Sequence, residues 1–399
     1  MASAGRISKI SRMKRLLTLI LLALVATVAT VASAQIAPPI HWTRPQAIRL
    51  SQWLATAADE GLGGVAPRLK TVDAALRGDD PQGLDAAATD AAVALLEALR
   101  HGCCNASLRT GWHIDEGNAW PDARATVSAA VSANAIDPLF ARARPTHPFY
   151  LGLQAAYARE TDPGRRATLA ANLDRWRWMP RSLGRRYLLV NAAAFEASLW
   201  DGPQIVGRWK VVVGKTKSPT PIFAARVTGV ILNPWWEIPP DIAAENIVAL
   251  VRDHPVQAAA KGYVLADGRY RQRPGPTNAL GRMKLVMPND FHVYLHDTPS
   301  QNLFAQDLRA YSHGCVRVGD ALGLVTALLA PRPGWDRPQV EAAVASGRTQ
   351  TVPLAAAIPV YVAYFTAEPD GLGGVRYFPD IYHRDNGASA PSDDGRCTR

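Results

Sequence analysis

The chain has 399 residues, 48% of them hydrophobic, and a formal net charge of +10. That length suggests two or three domains, and the apolar share is enough for a sizeable core. The first 34 residues hold five basic residues (Arg6, Lys9, Arg12, Lys14, Arg15) and no acidic one, so the rest carries about +5. This modest surplus suits an anionic polymer. It is too small and too dispersed for nucleic acid, and no zinc-finger or recognition-helix pattern is present.

At the N-terminus, Arg12, Lys14 and Arg15 precede an apolar run over 16–31 and then Ala32-Ser33-Ala34. This is the layout of a secretory signal peptide over residues 1–34, cleaved before Gln35. The alternative is an uncleaved anchor, but the run is slightly shorter than the roughly 20 residues of a spanning helix. No later segment is long and apolar enough to cross a bilayer, so no stable membrane insertion is expected after cleavage.

Helical spacing over 46–60 ends at Gly61-Leu62-Gly63-Gly64, where glycine supplies the left-handed cap. An alanine- and leucine-rich helix is predicted over 84–99, with Asp85 and Asp90 on its solvated side. Shorter helices are predicted at 122–133, 149–160 and 163–176. Residues 35–165 therefore read as an all-α scaffold. His101-Gly102-Cys103-Cys104 lacks the usual ligand spacing of a zinc site, and no metal or cofactor is expected. Cys103 or Cys104 with Cys397 is open as a disulfide in an oxidising compartment.

The texture changes after Pro180. Strands are predicted at 187–190, 195–200 and 204–213, the last two flanking the hairpin signal Asp201-Gly202. Further strands fall at 226–232, 284–287, 291–296, 314–318 and 358–366. Helices fall at 241–251 and after Asp320. The overall class is α+β, with a β-rich domain over 166–382. The stretch 234–281, with Trp235, Trp236, Tyr263, Tyr270, Arg271 and Arg273, reads as a lid over the active site; a passive subdomain is the rival reading. The polar tail 383–399 is expected to be disordered.

The chemistry concentrates in Tyr311-Ser312-His313-Gly314-Cys315-Val316-Arg317-Val318. Cys315 supplies a thiol, and only the thiolate of such a group is a good nucleophile. His296, nineteen positions upstream in Tyr294-Leu295-His296-Asp297-Thr298-Pro299, is the candidate base. Gly314 lets a substrate approach the backbone, and the amides of Gly314 and Cys315 are candidate oxyanion donors. Arg317 can fork onto a carboxylate. The plainer alternatives are a buried hydrophobic cysteine and an Arg317–Asp320 pair.

Ser312-His313-Gly314-Cys315-Val316-Arg317-Val318 together with the His296 segment resembles the signature of the YkuD-type L,D-transpeptidases. Asn172-Leu173-Asp174-Arg175-Trp176-Arg177-Trp178-Met179-Pro180 and Asn233-Pro234-Trp235-Trp236-Glu237-Ile238-Pro239-Pro240 extend the resemblance toward the large periplasmic branch of that family. The resemblance implies Cys315 as acyl-forming nucleophile and His296 as base. It implies substrate-binding and pocket-shaping roles for His313 and Arg317, and a loop-holding role for Ser312. Asp297 is left between orienting His296 and fixing the turn. Large members often insert a helical peptidoglycan-binding module, whereas here only about 25 residues separate Tyr150 from Arg175, too few for such a core. The implied function is 3-3 cross-linking of peptidoglycan stem peptides in the periplasm, through a thioester and with release of D-alanine. Carbapenems are the implied covalent inhibitors. An L,D-carboxypeptidase, a lipoprotein-attaching transpeptidase and a catalytically silent wall scaffold are the alternatives.

Overall fold

The computed structural model describes residues 39–102, 106–117 and 120–385. The predicted signal segment, Cys103, Cys104, Cys397 and the tail beyond Asp385 lie outside the described residues.

The N-terminal half is helical: α1 (Arg44–Ala57), α2 (Pro67–Arg77) and α3 (Pro81–His101) come first. A two-residue strand, β1 (Trp112–His113), precedes α4 (Ala123–Ser132), α5 (Ile136–Ala143), α6 (Pro148–Tyr157) and α7 (Pro163–Arg177). Local chemistry sets the starts. Thr43 and Gln46 form a capping box on α1. Asp80 and Asp162 cap α3 and α7, each followed by a proline whose missing N–H would have had no partner there. Gly61 ends the first helical segment at φ 73°. Helices α2 and α5 were not expected from sequence. Val72 is the only residue of α2 that becomes buried, and α5 spans only eight residues, so neither shows a full apolar stripe.

The C-terminal half is built on β2 (Arg186–Asn191), β3 (Glu196–Asp201), β4 (Gln204–Gly214) and β5 (Ile222–Leu232). A small subdomain follows: β6 (Trp236–Glu237), α8 (Pro240–Ile242), a π turn (Ala243–Ile247), α9 (Val248–Asp253), α10 (Pro255–Ala260), β7 (Tyr263–Ala266) and β8 (Arg269–Gln272). The sheet resumes with β9 (Met283–Val286), β10 (Leu295–His296), β11 (Ala310–Ser312) and β12 (Val316–Val318). Helices α11 (Ala321–Leu329) and α12 (Arg337–Ala345) lead to β13 (Gln350–Ala363) and the hairpin β14 (Ala367–Pro369) and β15 (Val375–Tyr377). Strand pairing runs β5-β13-β2-β3-β4-β12-β10-β9, and β9 pairs back onto β5, so the sheet closes on itself. Closure leaves few unpaired edges.

Two predicted strands are shorter than expected. Residues 291–294 are not a strand, because Asn289 gathers a turn: its Oδ1 accepts the Phe291 and Val293 amides, and its Nδ2 donates to the Met287 and Val293 carbonyls. Strand β12 starts only at Val316, because Gly314 turns the chain at φ 110°. The predicted disordered tail also needs correction at its start. Arg175 donates to the Arg384 carbonyl at 2.9 Å and pairs with Asp385 at 2.7 Å, so Arg384 and Asp385 are tied to α7.

Helix α7 joins the halves. Asn172 through Met179 are all buried, which erases any amphipathic period. Trp176 stacks between His147 of the scaffold (4.0 Å) and Phe365 of the barrel (4.6 Å). Arg177 is fully buried. It donates to Asp174 at 2.5 Å, the Glu60 carbonyl at 2.6 Å and Tyr150 Oη at 2.9 Å, while Tyr150 donates to Glu60 at 2.9 Å. Every partner on this list comes from the scaffold or from α7 itself, so the helix is anchored before the barrel begins. No inserted module lies between α6 and α7.

Candidate active site

The sheet register assembles the site. Arg317 of β12 lies opposite Val212 of β4 and His296 of β10, and His296 lies opposite Lys284 of β9. Residues opposite one another in a sheet point to the same face. One row across four strands therefore carries Val212, Arg317, His296 and Lys284. Just before β10 and β12 lie Tyr294 and Cys315, joined where the Val316 amide donates to the Tyr294 carbonyl at 2.9 Å; Lys284 sits over the Tyr294 ring, and Lys284 and Arg317 both act on the Cys315 thiol. The alternate residues Leu295, Val316 and Val318 point into the barrel core, where they are buried. Period-two alternation thus separates chemistry from packing.

Around the thiol the chain is tightly held. Ser312 Oγ donates to the Cys315 carbonyl at 2.5 Å and accepts the Gly314 amide at 3.1 Å. Thr220 Oγ1 donates to the Gly314 carbonyl at 2.9 Å and accepts the Gly214 amide at 2.9 Å. The expected oxyanion role of the Gly314 amide is therefore corrected: its N–H is spent on Ser312 inside the loop. Among the described residues the Cys315 amide has no such partner. Gly314 sits at φ 110°, a conformation that L side chains rarely adopt.

His296 is buried at 5% exposure, and its Nδ1 lies 2.5 Å from the Asp297 carbonyl. A carbonyl only accepts, so Nδ1 carries the proton and Nε2 keeps its lone pair. Burial first, then the nearby Arg317 and Lys284, push the imidazole down to about 3, against the opposing pull of the Asp297 carbonyl. Burial also pushes the Cys315 thiol up, opposed by a Tyr294 backbone hydrogen bond, Lys284 and Arg317. The resting pair is a neutral thiol and a neutral imidazole. Asp297 divides its work: the main chain orients His296, while the carboxylate accepts the Arg282 amide at 2.8 Å, Arg282 Nε at 2.9 Å and Gln301 Nε2 at 3.2 Å. The carboxylate fixes the turn.

Arg317 makes no ion pair among the described residues; Asp320 instead caps α11 at the Gly323 amide and lies 3.4 Å from Arg337. Burial lowers the Arg317 guanidinium, and the thiol partly restores it. His313 stands at the rim. Its Nε2 is 3.0 Å from Glu245 Oε1 in the π turn and 3.1 Å from Lys215 Nζ. That single nitrogen can donate to the carboxylate or accept from the ammonium, so its tautomer selects the partner. The subdomain over 234–281 thereby reaches the Cys315 loop through Glu245.

Sequence reasoning missed Lys284. Its ammonium lies 3.6 Å from the Tyr294 ring centroid. The available signal was a lysine alternating with apolar neighbours in Met283-Lys284-Leu285-Val286, in a chain where lysine is scarce.

A thiol, an oriented imidazole and two cations without an ion pair among the described residues are the parts that cysteine acyl transfer would use. Comparison with known proteins points to transpeptidases. Residues 185–338 match the family model of the L,D-transpeptidase catalytic domain (YkuD), and residues 37–156 match that of a scaffold domain. The chain carries an L,D-transpeptidase catalytic domain behind an N-terminal scaffold domain. A Haemophilus influenzae protein provisionally named an L,D-transpeptidase is 29% identical over 238 residues, which is 54% of this chain and 48% of the relative. The chain thus spans about half the length of that curated relative. L,D-transpeptidase 3 from Mycobacterium tuberculosis, solved with a faropenem-derived adduct, aligns at 13% identity over 45% of this chain and 60% of its own, with a TM-score of 0.24. An L,D-transpeptidase from Mycobacterium smegmatis aligns at 12% identity over 45% and 58%, also with a TM-score of 0.24.

Proposed function

We propose that this protein is an exported peptidoglycan L,D-transpeptidase working by a cysteine thioester in the periplasm. The reading rests on one observation above all: Cys315 directly precedes the strand that pairs with His296, an imidazole whose Nδ1–H is committed to the Asp297 carbonyl. With Nδ1 occupied, Nε2 is the position that takes a proton. His296 removes the thiol proton as Cys315 Sγ attacks the carbonyl of the third stem residue. The amide to the terminal D-alanine breaks, and its nitrogen receives that proton. An amine from a neighbouring stem then attacks the thioester carbonyl, His296 passes the amine proton to the departing Cys315 Sγ, and the free thiol and a 3-3 cross-link remain. The Cys315 amide supports the oxyanion, and Arg317 receives an anionic substrate group. Because Cys315 and His296 are both neutral at rest, the thiolate forms in the encounter with substrate rather than beforehand.

The test is mass spectrometry of the exported form, residues 35–399, incubated with tetrapeptide muropeptides beside a Cys315→Ala control. A dimer lacking one D-alanine, absent from the control, supports transpeptidation. Shortened monomers alone move the assignment to a carboxypeptidase, and a lipoprotein–stem adduct in a parallel incubation with an added lipoprotein amine moves it to wall attachment. No turnover, together with no carbapenem adduct on Cys315, moves it to a silent scaffold.

A further inference from the structure

The row Arg317–His296–Lys284 places a cation on each side of the imidazole. Adjacent positions in such a row are about 5 Å apart. Both cations are half-buried, and neither has a carboxylate partner among the described residues. The acids nearby are all engaged elsewhere. Glu237 acts on Lys284 only at a distance and is held by Arg271 at 2.9 Å. The Asp297 carboxylate is held by Arg282, and Glu245 faces His313. The Tyr294 ring offsets part of the Lys284 charge but supplies no counter-ion. Two half-buried cations beside a neutral thiol and a neutral imidazole leave the face with excess positive charge, which is costly until an anion arrives.

We propose that Lys284 is a substrate-binding residue that, with Arg317, receives the terminal carboxylate of the acyl-donor peptide. This inference rests on the transpeptidase reading for the identity of the donor, but not for the existence of the anion site. The flat guanidinium and the point-charge ammonium grip a carboxylate from two sides of the row. Release of the terminal residue then carries the anion away and leaves both cations free for the next donor. A donor ending in a carboxamide lacks the charge that both groups seek.

The experiment measures binding in a background that cannot react. Calorimetry on the Cys315→Ala protein compares a stem tetrapeptide ending in a free carboxylate with the same peptide ending in a carboxamide. One charge-assisted contact predicts a preference for the acid of about tenfold or more. Lys284→Met keeps the length and apolar stem of the side chain and should remove most of that preference, while Lys284→Arg should retain it. Equal binding of acid and amide overturns the inference. So does a Lys284→Met loss that is the same for both peptides, or no measurable binding of either. Acylation of the wild type by the acid peptide is scored separately. Its failure alongside a preserved acid preference removes the transpeptidase reading and leaves the anion site standing.

Discussion

At the scale of single residues, the site is defined by where protons sit. His296 is held neutral by burial and by flanking cations, with its pKa near 3, and the Cys315 thiol is pushed above its ordinary range. The free-protein pH profile for acylation of Cys315 by a carbapenem, measured as the second-order rate constant, should therefore show no acid limb near 6.5. A limb there would show that His296 titrates as an ordinary histidine and that its buried, carbonyl-bound geometry is wrong. Ser312 is the other decisive residue, because one hydroxyl serves both the Gly314 amide and the Cys315 carbonyl. Ser312→Ala strands two buried backbone groups and should cost about 1–3 kcal/mol of stability. The same change should slow acylation while leaving the thiol present, and intact-mass kinetics reads that directly. An unchanged rate and melting curve would remove the clamp from the account.

At the scale of elements, the loop before β9 and the helix α7 carry the strongest constraints. Gly281 has φ 60°, and a Cβ there would lie 2.5 Å from Asp297 Cγ, in the turn that orients His296. Gly281→Ala should displace that turn and depress acylation more than it depresses the melting temperature; paired kinetics and calorimetry distinguish the two. Helix α7 buries Arg177 among Asp174, Tyr150 and the Glu60 carbonyl. Arg177→Ala takes this cation from the buried Asp174 carboxylate and a hydrogen bond from the Glu60 carbonyl, and should cost about 3–5 kcal/mol. Urea denaturation checks this, and a loss under 1 kcal/mol would mean that the network is solvated. The same helix shows why sequence reading underestimated the join. Its tryptophans and arginines alternate on every face, so no polar stripe marks a boundary, and burial on all sides is visible only once two domains enclose it.

At the scale of the whole molecule, two histidines set an acid limit. His147, stacked on Trp176 between scaffold and barrel, and His296 are both held down to about 3 by burial. Their folded pKa values lie below the unfolded value near 6.5, so the unfolded chain binds more protons between pH 6.5 and 3. The stability associated with these groups is complete above 6.5 and is lost as pH falls toward 3. Stability measured by chemical denaturation should decline across that window with a slope near two protons. His147→Gln should remove about half of the slope, whereas a flat profile down to pH 4 would show that neither histidine is buried neutral.

Composition, glycine and proline punctuation and period-two alternation determined most of the element order, and the Ser312–Arg317 motif with its upstream histidine located the candidate site. These are properties of nearest neighbours along the chain, and local propensity is written there. The tertiary structure alone decided which side chains meet. The sheet register put Lys284 in one row with His296 and Arg317, although 33 positions of sequence separate Lys284 from Arg317. It took the Gly314 amide away from the oxyanion and gave it to Ser312, and it divided Asp297 between a carbonyl that orients the base and a carboxylate that fixes a turn. It also set the protonation of Cys315 and His296, because desolvation depends on what packs over a group and not on which residues adjoin it in the chain. A strand pattern says which face a side chain takes. Which strand lies alongside, and in what register, is settled only when the barrel closes and the whole core chooses one pairing.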